Sequence, residues 1–300
     1  MRFHRASVLL FLLACQAHRA PPAFDGDRAL EYVRAQVAFG PRVPNTPGHR
    51  RTGDWILEQL RRTADSVVVE EWTQITTHGD TLRLRNFLAR FRPTATERVL
   101  LVAHWDTRPK ADKSANLGQQ DLPVPGANDG ASGVAVLLGV ADALKATAPA
   151  VGVDLLFVDG EDYGTDFSDS TETLIGAWRF ASRRPAGYQP LYAVVFDMVG
   201  DRDLKILQEP YSVQGAPEVV ERVWRTAEDI GHGRMFRREM GAALTDDHIP
   251  LQRVGIRAID VIDFDYGPNN SWWHTTDDTV DKVSARSLQI VGEVAVALVR

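Results

Sequence analysis

The central and C-terminal parts of the chain alternate between short, fully apolar runs and longer segments with apolar residues about every three or four positions. Four apolar runs predict buried strands at residues 99–103, 153–158, 191–196 and 256–262. The segments with helical spacing lie at residues 133–144, 173–182, 217–230 and 283–298. This alternation is typical of a largely parallel sheet with helices on both faces.

The N-terminal part adds elements of both kinds. Helical spacing at residues 27–39 ends at the turn signal Gly40-Pro41, and residues 48–60 form a second amphipathic segment. A β run begins at residues 67–69, and residues 82–91 alternate as a strand does. No internal repeat or second domain is evident. We therefore predict one α/β domain over residues 27–300, with three α/β/α layers and a central mixed, mostly parallel sheet.

The first 15 residues have the features of an export signal. Basic residues precede an apolar run of nine residues, from Ala6 to Ala14, which is too short to cross a bilayer as a helix. Cys15 follows, as in bacterial lipoprotein signals, so we expect residues 1–14 to be a signal peptide and Cys15 to be lipidated. An ordinary signal peptide with an incidental cysteine is the alternative.

The same signal indicates where the protein works. We expect residues 15–26 to form a tether and the protein to be a periplasmic lipoprotein of a bacterial cell envelope. Gln16, rather than Asp, follows the cysteine and favours outer-membrane anchoring. Apart from this lipid anchor we expect no contact with a membrane, and we expect a monomer.

Composition narrows the chemistry. The 300 residues are 44% hydrophobic with a formal net charge of −6, and no basic stripe with interleaved aromatics is present, so nucleic acid is not an expected partner. Cys15 is the only cysteine. The mature domain therefore has no disulfide, cysteine nucleophile or thiolate ligand, and any metal must be bound by histidines and carboxylates, as zinc can be.

Every predicted buried strand ends in candidate metal ligands. These are His104 and Asp106, the segment Asp159-Gly160-Glu161-Asp162, Asp197, and Asp263, Asp265 and His274, while Asp129 lies in a glycine-flanked loop before a helix. Alone, Asp129 has an ordinary explanation as a helix cap and His104 as a core histidine. Ligands bind beyond the carboxyl ends of parallel strands, and so many carboxylates at one edge require a cation. The sequence therefore predicts a metal site.

Together these residues resemble the zinc exopeptidases of the aminopeptidase type, which include the glutaminyl-peptide cyclotransferases. The resemblance runs from residue 40 to the C-terminus and is carried by His104-x-Asp106, Asp129-Gly130, Glu161-Asp162, Asp197 and His274. It implies a zinc exopeptidase-like fold with zinc bound by Asp129, Asp162 and His274. It also implies that Glu161 is the general acid/base. Asp162 stands where the family usually has Glu.

The resemblance leaves two activities open. In two-zinc aminopeptidases the positions of His104 and Asp197 bind a second zinc, Asp129 bridges the ions and Asp106 orients His104. All of these residues are present. An aminopeptidase, with two zinc ions, would hydrolyse N-terminal residues from peptides. A binding protein with a degenerate site is not favoured, because neither a ligand nor the base is missing.

Two neighbours favour the cyclotransferase, for which one zinc is expected. Asp246 matches an extra catalytic acid of the cyclases, and Trp273, directly before His274, matches the tryptophan that lines their glutamine pocket. Phe167 falls near another pocket tryptophan of animal cyclases. We therefore expect the N-terminal glutamine of peptides or proteins to be converted to pyroglutamate with release of ammonia. Asp246 and Asp197 are expected to share a hydrogen bond.

Other polar residues have simpler expected roles. His49, His78 and His232 lie in turn-like contexts and are predicted to be solvated. His248 is predicted to be structural. Asp278 is predicted to cap the closing helix or to hold the His274 loop.

Overall fold

The structure is a computed structural model that describes residues 22–300. The predicted signal peptide, Cys15 and most of the predicted tether lie outside these residues. Phe24, near the end of the predicted tether, is buried against Gly139 and Gly292, and Asp25 caps the first helix by accepting a hydrogen bond from the Arg28 amide. The packed domain therefore begins at Phe24, slightly before the predicted boundary.

Eight α-helices and eight strands form within residues 22–300. The helices are α1 Gly26–Ala38, α2 Pro47–Thr63, α3 Ala131–Ala146, α4 Ile175–Arg183, α5 Pro210–Gly215, α6 Pro217–Asp229, α7 His248–Arg253 and α8 Ala285–Ala297. The strands are β1 Ser66–Ile75, β2 Thr81–Phe91, β3 Arg98–His104, β4 Gly152–Val158, β5 Tyr192–Asp197, β6 Ile206–Gln208, β7 Phe236–Met240 and β8 Ala258–Ile262. None of these helices is long and apolar enough to cross a membrane.

Six strands form the central sheet, in the order β1-β2-β4-β3-β5-β8. Strands β4, β3, β5 and β8 run parallel, whereas β2 is antiparallel to β4 and β1 is antiparallel to β2. Strands β6 and β7 form a separate parallel pair. The predicted mixed, mostly parallel sheet is confirmed.

The parallel strands are apolar throughout because both of their faces are covered. On β3, Leu101 and Ala103 belong to the larger core with α1, α3 and α8, while Leu100 and Val102 belong to a second core with α4 and α7. Successive side chains of a strand point to opposite faces, so a strand between two helix layers needs an unbroken apolar run. The three-layer α/β/α architecture follows.

The short helices and strands were not predicted from the sequence. Helices α5 and α7 and strands β6 and β7 have too few residues to establish a period. The helix predicted at residues 173–182 begins later, at Ile175, because Leu174 adopts a left-handed backbone conformation with φ of 51°. The remaining predicted elements differ from the observed ones mainly at their ends.

Candidate active site at the carboxyl edge of the sheet

The carboxyl ends of the four parallel strands bring the candidate residues together. His104 and Asp197 are the last residues of β3 and β5. Loops supply the others: Asp129 before α3, Glu161 and Asp162 after β4, Asp246 before α7, and His274 after β8. All seven are buried. The edge of the sheet predicted to carry chemistry is therefore the place where these side chains meet.

Asp129, Asp162 and His274 form one possible metal-binding group. Nε2 of His274 lies 3.5 Å from Oδ2 of Asp129 and 3.4 Å from Oδ1 of Asp162. Two atoms bound to a tetrahedral zinc at about 2.0 Å lie about 3.3 Å apart. The three predicted ligands thus have the spacing that zinc requires.

His104, Asp129 and Asp197 form a second such group. Nε2 of His104 lies 3.1 Å from Oδ1 of Asp129 and 3.1 Å from Oδ1 of Asp197. Asp129 therefore directs one carboxylate oxygen to each histidine, as a bridging ligand would. Gly130 permits this approach, because a Cβ there would lie 2.8 Å from Cε1 of His104.

The charges of the site are unbalanced without a cation. Burial raises the pKa of Glu161 well above its ordinary value, that of Asp197 to about 7 and that of Asp162 to about 6. Oδ2 of Asp162 is buried and accepts no hydrogen bond. Buried carboxylates are stable when paired or bound to a metal, so the donor set fits a divalent ion.

Two charged residues hold the loop that follows β4. Asp106 accepts hydrogen bonds from the backbone amides of Glu161 and Asp162, and its Oδ1 lies 3.5 Å from Nδ1 of His104. Arg108 donates from Nη1 to Oδ1 of Asp162 at 2.6 Å and from Nε to Asp112 at 2.6 Å. These contacts orient the general acid/base candidate and one ligand together.

A cavity of about 220 Å³ opens onto both metal groups. Glu161, Asp197 and Asp246 line one side, and Phe167, Phe264 and Trp273 are among its apolar walls. Trp273 stacks on His274 with the ring centroids 3.8 Å apart and meets Phe264 edge-on at 4.9 Å. Both predicted pocket residues, Phe167 and Trp273, therefore reach the cavity.

Asp246 has a different partner from the expected one. The predicted hydrogen bond between Asp246 and Asp197 is not formed among the described residues, and Oδ1 of Asp246 accepts from the backbone amide of Asp247 instead. Asp260 on β8 lies near Asp246, and burial together with the charge of Asp246 raises the pKa of Asp260 well above its ordinary value. Asp197 instead lies against His104.

The backbone is strained at two positions of the site. His274 and Met198, the residue after Asp197, have φ angles of 53° and 49°. Non-glycine residues rarely adopt such angles, which cost about 1–3 kcal/mol each, and they concentrate at functional sites.

Two histidines predicted to be solvated are not. His49 is buried, lies 2.9 Å from Asp159 through Nε2 and stacks on Trp105 with a centroid distance of 4.3 Å. His232 is largely buried against Glu293. Both predictions fail because the turn-like local sequence does not reveal partners more than 60 residues away. His78 is exposed, as predicted, and His248, which was predicted to be structural, is fully buried.

Two supporting residues were missed or predicted only in part. Asp278 does not cap the closing helix, whose N-cap is Ser284; it accepts from Tyr266 across the loop that carries His274, as predicted, and it also holds the Asp129 loop by accepting from the amides of Asn128 and Asp129. Arg42 is fully buried against the same loop. Its only sequence signal is a charged residue between two prolines in a turn segment.

Comparison with known proteins gives the family context. A sequence model of the family described as "Peptidase family M28" matches residues 86–299. The chain is 24% identical to the glutaminyl-peptide cyclotransferase of Bos taurus, and the match covers 84% of this chain and 76% of the bovine protein.

Solved structures resemble the chain more closely. The glutaminyl cyclase of Bacteroides thetaiotaomicron, crystallised with N-acetylhistamine, is 36% identical with a TM-score of 0.88, over 93% of this chain and 98% of that one. A leucine aminopeptidase precursor from the same species is 35% identical with a TM-score of 0.88, over 94% and 99% of the two chains.

Proposed function

The chain belongs to peptidase family M28, and we propose that within this family it is a zinc-dependent glutaminyl-peptide cyclotransferase. Its substrates are peptides or proteins with an N-terminal glutamine, which it converts to pyroglutamate with release of ammonia. The observation that carries the proposal is Asp246, an additional carboxyl group on the wall of the reaction cavity beside Glu161 and Trp273. The 36% identity to a solved glutaminyl cyclase over nearly the whole domain supports it.

Asp129, Asp162 and His274 would hold one zinc ion. Bound there, zinc would supply Lewis acidity to the side-chain carbonyl of the substrate glutamine, through an open coordination position. Arg108 neutralises part of the charge on Asp162, and Asp106 fixes the backbone of the loop that carries it. These contacts keep the ligands in place before substrate arrives.

Glu161 transfers the proton. Cyclisation forms a bond between the α-amino nitrogen and the side-chain amide carbon, and it breaks the bond from that carbon to the amide nitrogen. Glu161 accepts a proton from the attacking amine and delivers it to the amide nitrogen, which leaves as ammonia. The buried position of Glu161 raises its pKa above the ordinary value, which makes its carboxylate a stronger proton acceptor.

Asp246 and Asp197 provide negative charge opposite the amine. Both lie on the cavity wall, so a neutral α-amino group can donate hydrogen bonds to them and direct its lone pair toward the side-chain carbon. Trp273 and Phe167 supply apolar surface for the methylene groups of the glutamine side chain. This arrangement favours attack by the amine over attack by water.

The second candidate is a two-zinc aminopeptidase. The group His104, Asp129 and Asp197 favours it, because its atoms are spaced to bind a second ion. The 35% identity to a leucine aminopeptidase precursor supports it as well. In an aminopeptidase, a water molecule activated by Glu161 would be the nucleophile.

The products distinguish the two activities. Purified protein is incubated with a glutamine-initiated peptide and, separately, with a leucine arylamide. The cyclotransferase proposal expects the peptide to lose one ammonia, seen by mass spectrometry, and the arylamide to stay intact. Cleavage of the arylamide without loss of ammonia from the peptide would refute the proposal in favour of the aminopeptidase.

The N-terminus supports a further part of the proposal. We propose a periplasmic lipoprotein, anchored through Cys15 in the outer membrane and acting as a monomer. The support is the basic and apolar pattern of residues 1–14. Labelling the full chain with a fatty acid in cells should mark the wild type but not Cys15→Ser, and equal labelling would contradict the anchor.

A further inference from the structure

A buried arginine, Arg42, forms hydrogen bonds with the loop that carries Asp129. The guanidinium of Arg42 donates from Nε to the carbonyl of Trp105 at 3.0 Å and from Nη1 to that of Pro125 at 2.9 Å. Nη2 donates to the carbonyls of Gly126 at 2.6 Å and Asp129 at 3.2 Å. Every side-chain hydrogen bond of Arg42 therefore ends on a backbone carbonyl, and three of the four acceptors lie on residues 125–129.

Arg42 is held there at an electrostatic cost. Its side chain is fully buried, and burial lowers its pKa to about 10, although Asp278, Asp106 and Asp129 act in the opposite direction. None of these carboxylates accepts a hydrogen bond from it within the described residues. A buried cation bound only to carbonyls is a poor source of stability. The burial of Arg42 is better explained by the loop of residues 125–129 that it holds in place.

The loop is shaped around the guanidinium. Gly126 has a φ of 68°, and a Cβ at this position would lie 2.6 Å from Nη2 of Arg42. The backbone can approach Arg42 this closely only because glycine occupies the position.

Asp278 holds the same loop from the other side. Its Oδ1 accepts from the Asn128 amide at 2.8 Å and its Oδ2 from the Asp129 amide at 3.1 Å. Tyr266 donates to Oδ1 at 2.7 Å and so fixes the carboxylate. The N–H and the C=O of Asp129 are thus both bound by charged side chains, one from before α2 and one from after His274.

We propose that Arg42 is a positioning residue for the metal site. Asp129 directs one oxygen to His274 and the other to His104, so a small rotation of its backbone would spoil both sets of distances. Arg42 prevents that rotation by holding the carbonyl of Asp129 and the carbonyls of Pro125 and Gly126 earlier in the same loop. This inference rests on the metal site of the proposed function but not on which reaction that site performs.

A matched pair of variants tests the role. Arg98 is also buried and also donates to backbone carbonyls, those of Arg92 and Ala95, but it lies at the start of β3, at the opposite edge of the sheet. The zinc affinity of the full chain is measured by competition with a chromophoric chelator, and the melting temperature of each variant is measured separately. We expect Arg42→Met to weaken zinc binding about tenfold or more, as loss of a contact behind a ligand does, and Arg98→Met to leave it unchanged. Equal weakening in both variants would overturn the proposal.

Two milder variants cover the case in which Arg42→Met does not fold. Arg42→Lys keeps the charge but cannot reach all four carbonyls, and Asp278→Asn keeps the shape but replaces one acceptor by a donor. Both should weaken zinc binding. A variant that melts earlier yet binds zinc as tightly as the wild type would show a purely structural role and overturn the proposal. If the wild type takes up no zinc, the metal site itself fails, and this inference fails with it.

Discussion

The two edges of the parallel sheet bury carboxylates in opposite ways. At the amino edge, Asp154 is fully buried, but Arg98 and Arg90 pair with it and Tyr188 donates to it. The charge there is balanced by the protein itself.

At the carboxyl edge the balance is missing. Arg108 pairs with Asp162, but the side chains of Asp247 and Asp260 are buried without a hydrogen-bond partner among residues 22–300, and Glu161, Asp197 and Asp246 share the same cavity. Natural proteins rarely bury unpaired carboxylates, because each costs several kcal/mol unless a cation or proton compensates it. The functional edge of the sheet is therefore distinguished by uncompensated buried negative charge, and the mere presence of buried carboxylates does not distinguish it.

The largest expected effect is at Glu161. Glu161→Gln removes the proton acceptor without changing shape, and we expect kcat to fall by about 10⁴-fold, the upper end for general acid/base catalysis. Zinc content should remain that of the wild type. Glu293→Gln, which alters a buried glutamate paired with His232, is the control and should retain activity. Loss of zinc from Glu161→Gln would contradict the assignment of Glu161 as the base.

Substitution of Asp246 should reduce the catalytic rate less than substitution of Glu161. Asp246→Asn keeps the volume of the side chain but removes the charge opposite the amine, and we expect a loss of about 10²-fold in kcat/KM for a glutamine-initiated peptide. Ammonia release measures it. Wild-type rates in this variant would contradict a catalytic role for Asp246, on which the cyclotransferase proposal depends.

Trp273 tests the pocket wall. Trp273→Phe reduces the stacking on His274 and the edge contact with Phe264, which is worth about 1 kcal/mol, so we expect KM to rise roughly fivefold with little change in kcat. Trp55→Phe, a half-buried tryptophan on α2, is the control. A change confined to kcat would argue against a substrate-binding role.

The amino edge gives the smallest effect on catalysis. Asp154→Asn leaves Arg98 and Arg90 without their partner, so we expect the free energy of unfolding to drop by about 3 kcal/mol. The kcat/KM of the folded protein should not change. Urea denaturation and steady-state rates at low temperature measure the two quantities. A large fall in kcat/KM would show that the two edges are not independent.

The same contrast explains what the sequence could predict. Strands β3 and β4 were predicted to within one residue at each end, because a strand covered on both faces has an unbroken apolar run. Each member of the ligand trio was a candidate because it follows such a strand or lies in a glycine-flanked loop before a helix, and the resemblance to zinc exopeptidases singled out the three. These signals are local.

The supporting residues depend on contacts distant in sequence. Arg42 meets carbonyls 63 to 87 residues away, and Asp278 meets amides about 150 residues away. His49 was predicted to be solvated for the same reason, since its partner Asp159 is 110 residues distant. Local pattern gives no information about such pairs.

The most direct test of the proposed function measures product formation as a function of the zinc content of the protein. The protein is freed of metal with a chelator, and zinc is added in steps while ammonia release from a glutamine-initiated peptide is followed. We predict no activity without metal and a linear rise that saturates at one zinc per chain, with the peptide shortened by no residue. Activity that survives the chelator, or that appears only with a second zinc and releases free amino acid, would contradict it.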